Sequence, residues 1–135
     1  MVEIHVLYEG DLHCRVIHGP SGTIVSTDAP KDNQGKGESF SPTDLVAAAL
    51  GSCLLTTMGI VAKRHAIDLK GSKVTVVKEM TLEGPRRIKK LGATVTLPDR
   101  LNAEERSLLE RAALTCPVHK SLHPDIEAPV YFLYQ

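Results

Sequence analysis

Apolar and polar positions alternate from the start of the chain. Val2, Ile4, Val6 and Tyr8 fall on one face of an opening strand. Glu9-Gly10-Asp11 reads as a turn. After it Leu12, Cys14, Val16 and His18 share one face of a second strand, and His13, Arg15 and Ile17 the other. Gly19-Pro20-Ser21-Gly22 is turn chemistry and Thr23–Ser26 return as a third strand, so the opening predicts an antiparallel meander. From Asp28 to Phe40 no period persists. Pro30, Gly35, Gly37 and several charges mark a loop, near the length at which loops more often carry function than merely connect.

At Ser41 the pattern changes. Ser41 suits an N-cap, Pro42 the first helical position, and Asp44 completes a capping-box spacing, with Phe40 placed as a staple. From Leu45 to Ala62, 18 residues, nothing is charged. A helix apolar on nearly every face is a buried one, and Lys63-Arg64-His65 suit its C-terminus. Beyond Gly71, Val74, Val76, Met80 and Leu82 alternate, with Lys78 breaking the series. The turn Glu83-Gly84-Pro85 leads to a clean alternation of Leu91, Ala93, Val95 and Leu97, which predicts a hairpin with one wet face. Asn102 and Glu105 make a second capping signature before the apolar stripe Leu108, Leu109, Ala112, Ala113. Cys116-Pro117 opens a short turn or helix to Leu122, and Pro129 precedes a last strand, Val130–Tyr134. The expectation is an α+β fold in a single domain, residues 1–135.

Composition narrows the partners. Sixteen basic and sixteen acidic residues cancel, which gives no electrostatic reason to expect nucleic acid or an anionic membrane. The run Leu45–Ala62 reaches the transmembrane threshold. Its Gly51, Ser52, Thr56, Thr57 and Gly59, set among amphipathic strands, argue instead for the buried helix of a soluble protein. Met1-Val2-Glu3-Ile4-His5 has neither a basic nor an apolar leader region, so a cytoplasmic location is expected. Three cysteines do not make a secreted disulfide framework; in that compartment a disulfide is more often catalytic or redox-sensing.

The only reactive atom on the apolar helix is the Cys53 sulfur. Taken alone, it fits either a small core hydrophobe or a thiolate bordering a pocket, for which Gly51 and Ser52 leave room. Cys116 has a case of its own. With Pro117 at the first helical position it would be an N-cap beside unpaired N–H groups, and His119 lies within a turn. Both features favour a thiolate, so this physics alone makes Cys116 the activated thiol and the better leaving group. Cys14, sharing a face with Leu12 and Val16, reads as core packing. Cys116-x-x-His119 is half a metal site with no second pair to complete it, so no metal is expected.

The two cysteine segments, Ser41-Pro42 through Cys53 and Cys116-Pro117-Val118-His119-Lys120-Ser121-Leu122, lie about sixty residues apart. In this order the pair resembles the two motifs of the OsmC/Ohr family, and the surrounding elements extend the resemblance over essentially the whole chain. The resemblance implies antiparallel sheets around a buried central helix in an intertwined homodimer. It also implies thiol-dependent reduction of organic hydroperoxides with no cofactor. Cys53 would be peroxidatic, Cys116 would resolve it as a Cys53–Cys116 disulfide, and a dithiol would restore both. Peroxidases of the family carry a glutamate near the start of the central helix and an arginine in the preceding loop. Here Thr43 and Asp44 occupy the first region, and the loop holds Lys31 and Lys36 but no arginine. An OsmC-like protein that binds a small apolar ligand without turnover is the alternative. Acyl or sulfur-group transfer by Cys116 with His119 is a third.

Overall fold

The computed structural model describes residues 1–135 as two compact units, Met1–Val46 and Ala47–Gln135. The first unit is the expected meander, β1 (Ile4–Gly10), β2 (His13–His18) and β3 (Ile24–Asp28), in sheet order β1-β2-β3. Both pairs are antiparallel, with Cys14 between Tyr8 and Thr27 and half-buried. The β1–β2 turn is Asp11-Leu12, with φ of 52° and 60°. Positive φ at both central residues is the mirror-image turn whose twist matches a hairpin. Leu12 therefore does not lie on the β2 face with Cys14. It sits in the turn, 45% exposed.

The segment 28–40 is a tied loop. It contains a short 3₁₀ turn, Lys31–Asn33, and it closes on itself through a parallel bridge between Thr27 and Phe40. The Asp28 N–H donates to the Phe40 carbonyl at 3.0 Å. The buried Asp28 carboxylate pairs with His13 Nδ1 at 2.5 Å and accepts the Glu38 N–H at 3.0 Å. The His13 hydrogen bond, joined by the Glu38 N–H and the charges of His13 and Lys36, holds this carboxyl below its ordinary range against the effect of burial. The Lys31 stem lies over Gly37.

Helix α1 (Pro42–Arg64) starts where its caps predict. The Ser41 N–H donates to Asp44 Oδ2 at 2.8 Å and the Asp44 N–H to Ser41 Oγ at 3.1 Å, a reciprocal capping box. By length and hydropathy α1 could cross a bilayer. Here Ala47, Leu50, Gly51, Leu54, Met58 and Ala62 form a buried stripe at helical spacing. Its Ala48, Ala49, Ser52, Thr56 and Ile60 are exposed, so one chain covers one face of this apolar helix.

The second unit carries β4 (Lys73–Met80), β5 (Ile88–Leu97), α2 (Ala103–Ala113), α3 (Pro117–Ser121) and β6 (Val130–Tyr134). β4 and β5 form the expected antiparallel hairpin, and Leu91, Ala93, Val95 and Leu97 are buried. β4 ends at Met80, so Leu82 is not on its face but in the turn, 98% exposed. β6 runs parallel to β5, pairing Ala93–Leu97 with Val130–Tyr134. The helical segment between them supplies the crossover a parallel pair needs. Asn102 and Glu105 form the predicted box, each side chain accepting the other's N–H at 2.9 Å. Gly51 lets α1 approach β4 closely: a Cβ there would lie 3.1 Å from Val76 Cγ2 and 3.5 Å from Val74 Cγ1.

Candidate active site

Two elements of the second unit bring the site together. Cys53 projects from α1, half-buried, and Cys116 caps the N-terminus of α3, fully buried. Pro117 takes the first helical position, as the Cys-Pro order predicts, and the His119 N–H donates to Cys116 Sγ at 3.4 Å. Both thiols are free, and they lie near enough for each to shift the other's proton affinity. The Val118 N–H, from the first turn of α3, reaches both sulfurs. Thr57 follows Cys53 by one helical turn, with Oγ1 3.8 Å from Cys53 Sγ.

These contacts push the two thiols in opposite directions. Partial burial raises the Cys53 pKa. Hydrogen bonds from Cys116, the Val118 N–H and Thr57 outweigh that, so the thiol lies below its ordinary value. Cys116 is held above its ordinary value, first by burial and then by its hydrogen bond and proximity to Cys53, and the His119 and Val118 N–H groups do not compensate. This reverses the direction that the N-cap position of Cys116 suggests by itself. Helix-terminal N–H groups do reach its sulfur, but that of Val118 is shared with Cys53 and both are set against complete burial. Of the two sulfurs, Cys53 is therefore the more readily ionised and Cys116 the one that holds its proton. Every group that acts on the Cys53 sulfur is electrically neutral or is the other cysteine.

The remaining candidates have partners of their own. The His119 imidazole is turned to the Ala128 carbonyl, 2.9 Å from Nε2, so only its main-chain N–H serves Cys116. That leaves the Cys116–His119 pair without the side-chain contact that base activation of a thiol requires. Cys14 belongs to β2 of the first unit. Asp44 caps α1, Lys36 acts on Asp28, and Lys31 covers Gly37. Thr57 and the Val118 N–H escaped the sequence reading. The Cys-x-x-x-Thr spacing on a helix was the available signal for the first, and the open N-terminus after Cys-Pro for the second.

Comparison with known proteins identifies the family and the fold. No curated protein matches the chain. A candidate osmotic-stress-induced and detoxification-response protein from Psychrobacter arcticus 273-4 is 45% identical over 98% of this chain and 96% of its own, with a TM-score of 0.91. An organic hydroperoxide resistance protein from Elizabethkingia anophelis, crystallised with thiocyanate bound, shares the fold at 19% identity. Its TM-score is 0.79, over 100% of this chain and 96% of that one. The organic hydroperoxide resistance protein OhrB of Bacillus subtilis does so at 17% identity and a TM-score of 0.72, over 98% and 97%. Residues 35–129, which include both cysteine segments, match the OsmC-like protein family, and the chain belongs to that family.

Proposed function

We propose that this protein is a thiol peroxidase that reduces organic hydroperoxides through Cys53 and Cys116. The observation that carries the reading is the contact of two free thiols with opposed proton affinities, one poised to attack and the other to resolve. The Cys53 thiolate attacks the terminal oxygen of ROOH. An S–O bond forms, the O–O bond breaks, and RO⁻ leaves and takes up a proton to give the alcohol. Cys116 then attacks the Cys53 sulfenic acid: an S–S bond forms, the S–O bond breaks, and the Cys116 proton leaves with hydroxide as water. An external dithiol reduces the disulfide by exchange. A reducing compartment such as the cytoplasm suits that last step. The hydroperoxide resistance proteins that share the fold support the same substrate class.

The reading includes a homodimer. Ile4, Val6 and Tyr8 of β1 and Ile60 of α1 are each at least half exposed, and a second copy would remove such apolar surface from water. Sedimentation at micromolar concentration tests it, and a persistent monomer would count against it. The neutral surroundings of Cys53 favour a second reading, in which the site binds a small apolar ligand without turnover. One assay separates the two. Purified protein with dithiol should consume cumene hydroperoxide faster than hydrogen peroxide and faster than dithiol alone. Consumption at the dithiol background rate leaves the binding reading.

A further inference from the structure

Resting on the peroxidase reading, we propose that Thr57 is a catalytic residue, its hydroxyl donating a hydrogen bond to the Cys53 thiolate and then to the oxygen the sulfur acquires. Thr57 and Cys53 lie one turn apart on the same side of α1, and Oγ1 stands 3.8 Å from Sγ. Both residues are half-buried, so water competes for this contact less than it would on an open surface.

The direction of the bond follows from protonation. A hydroxyl and a thiol can each donate to the other, but a thiolate has no proton to give, so Thr57 must then be the donor. A helical threonine has an alternative acceptor, the carbonyl four residues back, which here is that of Cys53 itself. The hydroxyl thus has two nearby acceptors on one residue, and ionisation of the thiol tips the choice toward sulfur. No charged side chain contributes to holding the Cys53 thiolate. Thr57 is one of the three neutral donors that lower its proton affinity, after Cys116 and the Val118 N–H. After attack the sulfur bears an oxygen. A hydroxyl that can rotate about χ1 can follow that oxygen, whereas the Val118 N–H is fixed in α3.

Three variants, measured with all cysteines in place, test this: Thr57→Val removes the hydroxyl at constant shape, Thr57→Ala removes it without the branch, and Thr57→Ser keeps it. The readout is the pH midpoint of Cys53 alkylation by iodoacetamide, followed on the Cys53 peptide by mass spectrometry, with no hydroperoxide present. Losing a hydrogen bond to a charged acceptor should raise the midpoint by about 0.5–1 pH unit in the valine and alanine variants, roughly three- to tenfold less thiolate at a fixed pH below it. The serine variant should titrate with the wild type. An unchanged midpoint in valine and alanine overturns the proposal, and so does a serine midpoint that moves with theirs, because packing would then be the cause. The peroxidase reading stands or falls separately: a shifted titration in a protein that consumes no hydroperoxide would refute the reading of function and leave the hydrogen bond intact.

Discussion

Gly51 sits where α1 packs closely against β4, two residues before Cys53, and its substitution tests the packing that positions the site. A Cβ at this position meets Val76 Cγ2 at 3.1 Å and Val74 Cγ1 at 3.5 Å. The first contact asks a methyl group to move by a few tenths of an ångström. In Gly51→Ala that strain is opposed by helix propensity, about 1 kcal/mol in favour of alanine, and by burial of one methyl, about 0.8 kcal/mol. Overpacking costs about 1–3 kcal/mol, so alanine should fall within roughly 1 kcal/mol of wild type. Gly51→Val adds two more carbons toward Val74 and Val76, loses most of the propensity gain, and meets the upper part of that cost. A net loss of about 2–3 kcal/mol lowers the melting temperature by roughly 6–15 °C in a chain of this size. The assay is thermal unfolding at one fixed protein concentration, since association would shift the midpoint. A second readout is the yield of the Cys53–Cys116 disulfide after one equivalent of peroxide. Valine should lower both. A valine variant as stable as alanine, with full disulfide yield, would refute the close approach.

Asp28→Asn removes a carboxylate whose pKa is lowered in the folded chain. A depressed folded-state value means that the carboxylate's stabilisation is present above about pH 4 and is lost as pH falls through the folded value. Acid unfolding of the asparagine variant should therefore be less steep over that window than wild type, measured by circular dichroism. Asn102→Ala removes the cap of α2 and should cost about 1 kcal/mol in urea unfolding without altering Cys53 alkylation. Cys14→Ser should leave disulfide yield and hydroperoxide consumption unchanged, and loss of the bridge in that variant would put Cys14 into the cycle.

Much of this arrangement was legible in local sequence because the signals are local. Ser41 with Asp44, Asn102 with Glu105, and Cys116 before Pro117 each announce a helix start within a few residues, and each helix begins there. The alternation of Leu91 through Leu97 reported a strand whose one face is buried. Period-two patterns do not register where a strand stops. Leu12 and Leu82 continue an alternation in sequence but fall in turns, the first because both turn residues adopt positive φ. The parallel pairing of β6 depends on where the chain returns after α2 and α3, which no pattern in Val130–Tyr134 encodes. The proton affinities of the two thiols were hidden for the same reason. The helix N-terminus at Cys116 can be read from three residues, but its burial and its contact with Cys53 are tertiary, and they decide the direction.

The central claim is that Cys53 takes the oxygen and Cys116 releases it. Intact mass measured after one equivalent of cumene hydroperoxide, without reductant, tests it most directly in wild type, Cys53→Ser and Cys116→Ser. Wild type should lose the mass of two hydrogens, and peptide mapping should place the bridge between Cys53 and Cys116. Cys116→Ser should gain oxygen on Cys53, and Cys53→Ser should stay unmodified. Oxygen on Cys116 in Cys53→Ser, together with an unmodified Cys53 in Cys116→Ser, would reverse the two roles, and a wild type left unchanged by the hydroperoxide would contradict the account.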